Sequence, residues 1–329
     1  MKKTTLLVIS ILLLLPIFAD AASAKKKFQL AHVSVESPED MYQFFALRFQ
    51  EGVEKLSNGS IAIEILGNAQ LGGERDVAEG MQFGTVDMGI LANFTFGPFD
   101  PKTMVFDLPY LFYTYEEAFR VLDSDVTKDV ENSLQKIGFK VLGWGHGGFR
   151  NLYTTFGTVK ELDDVRAKKI RVPQTPIYVD TWRALGANAT SMAYSELFTG
   201  LQQKTIDGAE NPASLFYTSH FYEAARYLSR TEHVYVSLPL VISTKLWEKL
   251  SAEEQQSMQK AASEAVKVQR QFFLTAEDDV YKKLADLGVT INQTVNKDAF
   301  RKAVLPVYET YKKQIGEDLL NKVLALVKK

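Results

Sequence analysis

Apolar positions along the chain switch period repeatedly, from two residues to between three and four, the signature of strands alternating with helices. Phe28–Val33 reads as a first strand. Ser37, followed by Pro38 and with Asp40 three residues on, reads as the cap of a helix that Gly59 stops. Ile61, Ile63 and Ile65 alternate with Ala62 and Glu64 in a second strand. A helix over Glu74–Phe83, a strand over Val86–Leu91 and another at Phe139–Trp144 continue the series, which predicts an α/β sheet covered by helices. Ser251-Ala252-Glu253-Glu254 has the form of a capping box, and the helical pattern behind it runs to about Leu287, with Gly288 as its stop. That run is either one long helix or two with a break near Thr275. Val289–Asn292 reads as a late strand, and the chain after Asn296 as helical.

Gly80–Asp87 (GMQFGTVD) and Gly200–Asp207 (GLQQKTID) repeat glycine, glutamine, threonine and aspartate at matching places. Both read as a helix end turning into a strand. Two similar α/β lobes would produce this echo, although eight residues alone do not carry a fold. Length points the same way, since a chain of 329 residues suits two domains. No Pro/Gly/Ser-rich linker separates them, as expected if the lobes are joined by ordered crossing strands that act as a hinge.

The first residues change the picture of where the protein works. Lys2 and Lys3 precede an apolar run from Leu6 to Phe18 and a small-residue stretch ending at Ala24, the order of a secretory signal peptide. Pro16 and Asp20 interrupt the apolar stretch, which is short of the roughly 20 residues a membrane span needs. Cleavage is expected after Ala24, with Ala21 as the rival site. Loss of Met1–Ala24 removes Lys2, Lys3 and Asp20, so the formal charge moves from -2 to -3. That balance gives no electrostatic case for nucleic acid. The chain has no cysteine, which rules out disulfides, thiolate metal sites and a lipid-bearing thiol.

Two arginines and an asparagine are the main candidates for chemistry. Arg171, in KIRVP, ends a short strand-like run, a placement that points its guanidinium beyond the sheet. Arginine is the side chain best shaped to grip a carboxylate through two parallel hydrogen bonds. Arg150 ends the glycine-rich run Gly145–Phe149, and Asn211 stands in DGAENP. A strand-end arginine is more often a surface ion pair, and taken alone Arg171 would be read that way.

The runs KIRVP, LGAN, SELFTGLQ and DGAENP, in that order between Lys169 and Pro212, resemble the solute-binding proteins of tripartite ATP-independent periplasmic (TRAP) transporters, the dicarboxylate/sugar-acid-binding (DctP-like) family. QLGGER at Gln70–Arg75 and FDLPYLF at Phe106–Phe112 fit the same family, so the resemblance covers nearly all of the mature chain. It implies a two-lobed periplasmic binding protein fold of α/β class, with a hinge and a long helix crossing both lobes. The expected division is a signal peptide at 1–24, lobe I from 25–148 plus about 237–276, and lobe II from 149–236 plus about 277–329. By motif match Arg171 takes the main salt bridge to a solute carboxylate, Arg150 and Asn211 assist, and Tyr194 packs its ring on the ligand. Gln174, Glu74, Asn93 and His32 are further candidate contacts. The expected partners are an organic acid and the membrane permease subunits, and the protein is expected to be a periplasmic monomer with no cofactor. The wording around VDTWRALGAN resembles members that bind hexuronates or related sugar acids, with a C4-dicarboxylate or a keto acid as the alternative. Ala189 and Ser191 replace prolines usual in the family, and Ala209 replaces a common glutamine, changes that bear on pocket shape rather than on the anchors.

Other classes fare worse. His146-Gly147-Gly148 is faintly like the oxyanion run of esterases, yet no serine lies in a G-x-S-x-G elbow. The histidines are His32, His146, His220 and His233, none in an H-E-x-x-H pattern, which leaves zinc chemistry unsupported. A ligand-sensing protein of the same fold remains the other reading of the binding class.

Overall fold

The computed structural model describes residues 25–328; the expected leader and its cleavage point lie outside the described residues. The chain begins β1 (Lys26–Ala31), α1 (Met41–Leu56), β2 (Ile61–Leu66), α2 (Glu74–Phe83) and β3 (Met88–Ile90). These three strands are parallel, with Phe28 beside Ile63 and Leu30 beside Met88. The helices cover the sheet because their apolar stripes, such as Phe45, Phe49 and Val53 on α1, are fully buried. The cap of α1 is Asp40 rather than Ser37. The Asp40 carboxylate accepts from the N–H groups of Tyr42 (2.9 Å) and Gln43 (3.3 Å). Ser37 and Pro38 instead form the turn that delivers it, with Asp40 N–H donating to Ser37 O at 2.9 Å. Both residues suit an N-cap, and the one whose oxygen reaches the orphan donors wins.

After α3 (Tyr115–Leu122) and α4 (Asp125–Lys136) comes β4 (Phe139–Thr154), much longer than the strand expected at Phe139–Trp144. Its glycines do not stop it. A Cβ on Gly145 would lie 2.7 Å from the Phe45 ring, and one on Gly147 would lie 2.5 Å from Val236 O, so glycine is what lets this strand pass its neighbours. The chain then repeats its opening theme as β5 (Lys169–Val172), α5 (Pro176–Ala184), β6 (Asn188–Ser191), α6 (Leu197–Gln202), β7 (Gly208–Pro212) and α7 (Ala213–Thr218), with β5 parallel to β6 and β7.

β8 (Tyr227–Ser243) runs back antiparallel to β4. At 16 and 17 residues these two strands are each about 55 Å long at roughly 3.3 Å per residue. β3 pairs with one end of β8, and β7 with the opposite end of the β4–β8 ribbon. The sheet order β2-β1-β3-β8-β4-β7-β5-β6 therefore holds two lobes joined through one crossing ribbon. The ribbon's register shifts at Gly143, at Gly148 and at Leu152. Such bulges bend a strand pair locally, and the one at Gly148 falls between the stretch of the ribbon that pairs with β3 and the stretch that pairs with β7.

The echo between Gly80–Asp87 and Gly200–Asp207 is structural. Gly80 O accepts the N–H (2.9 Å) and hydroxyl (3.2 Å) of Thr85, and Gly200 O accepts the N–H (3.0 Å) and hydroxyl (3.1 Å) of Thr205. Asp87 then accepts from Gln29 N–H on β1 (2.9 Å), and Asp207 from Lys169 N–H on β5 (2.8 Å). One turn design launches the strand beside the first strand of each lobe.

A short α8 (Thr244–Trp247) leads into α9 (Ala252–Asp286), one unbroken helix of 35 residues, about 52 Å long at 1.5 Å per residue. The capping box is present: Ser251 Oγ accepts from Glu254 N–H (3.2 Å) and the Glu254 carboxylate from Ser251 N–H (2.8 Å). Thr275 does not break the helix, its hydroxyl bonding back to Gln271 O at 3.1 Å. α9 spans both lobes. Its start packs on α1, the Gln269 amide brackets the backbone of His146 on the ribbon (2.8 and 2.6 Å), and the Asn151 amide donates to the Tyr281 hydroxyl at 3.1 Å. β9 (Thr290–Asn292) adds to β8, and α10 (Lys297–Ala303), α11 (Leu305–Ile315) and α12 (Glu317–Val327) close the chain. α11 packs on α5 and on the 3-10 segment Pro101–Asp107, and α12 on α3 and α4. None of the described helices is long and apolar enough to cross a membrane.

Candidate functional site

Parallel strands leave ligand room beyond their carboxyl ends, and the two lobes place those ends against each other. One cavity lies there. From the β1–β3 lobe it is lined by Val33, Tyr42, Glu74, Arg75, Phe94 and Thr95, among others, and from the β5–β7 lobe by Arg171, Gln174, Met192, Tyr194 and Asn211, with Arg150 from β4. Six of the eight residues nominated by sequence therefore meet around one space: Arg171, Arg150, Asn211, Tyr194, Gln174 and Glu74.

Arg171, near the end of β5, is 3% exposed. Nε and Nη2 both donate to Met192 O, at 3.0 and 2.6 Å. Nη1 has no partner, and the guanidinium forms no salt bridge, among the described residues. Burial lowers its pKa from the usual arginine value, as expected for a cation removed from water without a matching anion.

Arg150 is equally buried but differently placed. It lies opposite Pro212 in the β4–β7 ladder, which makes Glu210 its diagonal neighbour across the strands. Nε and Nη2 grip the two Glu210 carboxylate oxygens, and Nη2 also donates to Glu210 O at 2.6 Å. Phe94 and Tyr178 place ring faces 5.5 and 5.4 Å from the guanidinium carbon. His233 Nε2 lies 3.1 Å from Glu210, whose ionised carboxylate only accepts and so takes a proton from Nε2, while Nδ1 lies 2.8 Å from the Thr231 hydroxyl. Burial holds the His233 pKa down despite this carboxylate. Burial also pushes the Glu210 carboxyl up, but Arg150 and His233 outweigh it and hold its pKa below the usual value. Arg150 is thus neutralised inside the protein, with Nη1 its one nitrogen lacking a partner among the described residues.

Asn211 Oδ1 accepts from Tyr153 O–H at 2.9 Å, which orients Nδ2 as a donor without a protein partner among the described residues. The Tyr194 hydroxyl bonds Ser219 (2.6 Å) and its ring meets Phe221 edge-on. Gln174 is exposed at the rim. Glu74, first residue of α2, accepts through Oε1 from Ala92 N–H (2.8 Å) and Tyr42 O–H (3.2 Å). Burial raises its pKa above the usual value despite these donors and the charges of Arg150 and Arg171.

His32 and Asn93 do not line the cavity. His32 Nε2 is spent on Gln43 (2.8 Å) and its ring stacks on Tyr42. Asn93 donates to Thr103 O (2.9 Å) and Asp107 (2.8 Å). Tyr42, Phe94 and Thr95 also line the cavity, and Glu210 neutralises Arg150, none of them among the residues expected from sequence. A signal existed for Arg75, which belongs to the QLGGER run, and for Glu210, inside DGAENP.

Comparison with known proteins agrees with this architecture. The profile of the family described as bacterial extracellular solute-binding protein, family 7, matches residues 31–314. The sugar acid binding protein DctPAm from Advenella mimigardefordensis, in complex with galactonate, superposes with a TM-score of 0.89 at 30% identity, over 93% of this chain and 98% of that one. A TRAP periplasmic solute binding protein from Haemophilus influenzae with bound L-gulonate gives 0.87 at 30% identity, over 92% and 100%. One from Sulfurospirillum deleyianum with bound succinate gives 0.86 at 28% identity, over 92% and 99%.

Proposed function

The chain belongs to the bacterial extracellular solute-binding proteins of family 7 and is a solute receptor of the TRAP type; on that premise we propose that Arg171 grips the carboxylate of an organic acid, a sugar acid such as a hexuronate or an aldonate. The observation that carries this reading is a buried guanidinium that lines the interlobe cavity and has no acidic partner among the described residues. A charge buried in that way is offset only by a ligand of opposite sign. Nη1 of Arg171, Nη1 of Arg150 and Nδ2 of Asn211 are donors for the acid and its neighbouring hydroxyl, Glu74 is an acceptor for hydroxyls, and Tyr194 offers a ring face. A ligand held by the β5–β7 lobe completes its hydrogen bonds on Tyr42 and Glu74 of the other lobe, which draws the lobes together about the β4–β8 ribbon. The closed form is then delivered to the permease subunits of its transporter. This reading includes export to the periplasm with cleavage after Ala24.

A thermal-shift screen of organic acids, followed by calorimetry, tests it. Sugar acids raise the melting point, since a ligand at 100 times its Kd adds about 2.7 kcal/mol. Arg171→Ala weakens binding by about 2–5 kcal/mol, the cost of leaving the ligand charge unpaired. Near-normal affinity in that variant, or stabilisation by uncharged sugars alone, rejects the proposal.

A further inference from the structure

We propose that this receptor accepts acids bearing one carboxylate and excludes dicarboxylates, and that Glu74 sets this limit. The inference rests on the reading that Arg171 holds the ligand's carboxylate. It follows from a count of charges around the cavity. Arg150 is cancelled by the two-pronged pairing with Glu210. Arg75 lies at the solvent edge, highly exposed and paired with Glu79 at 2.8 Å. What remains is one uncompensated cation, Arg171, and one carboxylate on the opposing lobe, Glu74.

Glu74 cannot turn aside to make room for a second anion. Its Oε1 is fixed by Ala92 N–H and Tyr42 O–H, both donors, and its backbone is the first turn of α2. Oε2 has no partner among the described residues and belongs to a side chain lining the cavity. A hydroxyl at the far end of a bound acid donates to that oxygen. A second carboxylate placed there has no proton to donate and meets a fixed like charge.

The matched ligand pair is a six-carbon aldonate and the corresponding aldarate, in which the terminal alcohol is a carboxylate. Calorimetry on the mature chain at neutral pH is expected to favour the aldonate by on the order of 100-fold. The aldarate's terminal monoamide, similar in size, uncharged and with an N–H to donate to Glu74, recovers most of that loss in the unaltered protein, and this arm does not depend on any variant folding. Glu74→Gln narrows the preference to within about 10-fold by improving aldarate binding. Equal affinity of the unaltered protein for aldonate and aldarate overturns the proposal. So does an amide that binds as poorly as the diacid, which makes the limit one of size. A Glu74→Gln variant that loses both ligands in proportion overturns it too. If no organic acid binds at all, the reading of Arg171 fails first.

Discussion

Arg150 and Arg171 reach the same cavity from neighbouring regions of one sheet, and at 2% and 3% exposure they are equally dry. Their surroundings differ in one respect. The β4–β7 register puts Glu210 within reach of Arg150, and His233 and two aromatic faces complete its enclosure. Arg171, on the next strand but one, is given a single backbone carbonyl. The difference separates a neutralised arginine from one left charged: burial is common to both, and the presence of an internal anion distinguishes them. An unpaired buried cation lowers the stability of the empty receptor and returns that free energy when an anion arrives.

The comparison breaks most visibly if Glu210 is removed. Glu210→Gln preserves shape and leaves Arg150 as a second buried cation without a counter-charge, so the empty protein loses about 3–5 kcal/mol in denaturant unfolding. Arg171→Met, by contrast, leaves the empty protein as stable or slightly more stable while abolishing the ligand-induced shift, because it deletes a charge that nothing internal offsets. Similar losses of empty-state stability in both variants would erase the distinction.

Much of this arrangement was legible in the sequence, and the parts that were not share a cause. The alternation of periods, the capping box at Ser251, the stop at Gly288 and the repeated turn before Asp87 and Asp207 are local, so each carried its own signal. The position of Arg171 near the end of a strand running toward the cavity was local as well. Whether Arg150 is free or occupied depends on a partner 60 residues away, brought close by strand register. No local pattern reports that. His32 and Asn93 were nominated because both follow strands, but the side on which a strand-end residue turns is settled by Gln43 and Asp107, which are reached only in three dimensions. The cap of α1 went to Asp40 for a related reason, since its second oxygen has work elsewhere in the fold.

Asp40 sharpens the comparison from the side of the anions. It is fully buried, and as with Arg171 no group of opposite charge pairs with it among the described residues; its oxygens take two backbone N–H groups and the hydroxyls of Ser34 (2.6 Å) and Thr218 (3.0 Å). Burial raises its carboxyl to about 6 against these hydrogen bonds. The folded protein therefore binds this proton more tightly than the unfolded chain. The stabilisation is fully present below the ordinary aspartate range and is lost as pH rises through about 6. A shift of that size is about 2–3 kcal/mol. Asp40→Asn keeps the cap and removes the proton, so the difference in stability between pH ~5 and pH ~7 shrinks relative to the unaltered protein. An unchanged difference would mean that the carboxyl titrates normally and has found a counter-charge after all.

The smallest expected effect isolates the contact between lobes. Thr218 ends α7 in the β5–β7 lobe, while Asp40 opens α1 in the other, so their 3.0 Å bond crosses the cleft without touching its contents. In an open form the hydroxyl and the carboxylate each return to water. On the proposed closure, Thr218→Val removes a hydrogen bond between the lobes and leaves the residues lining the cavity intact. The expected cost is about 1 kcal/mol, roughly a five-fold rise in Kd. On the proposed closure mechanism most of it appears as faster release. Stopped-flow release with an unaltered association rate supports this assignment. A Kd that does not move means that Thr218 is bonded to Asp40 in the empty, open receptor too, and that the interlobe contact contributes nothing to the grip of Arg171.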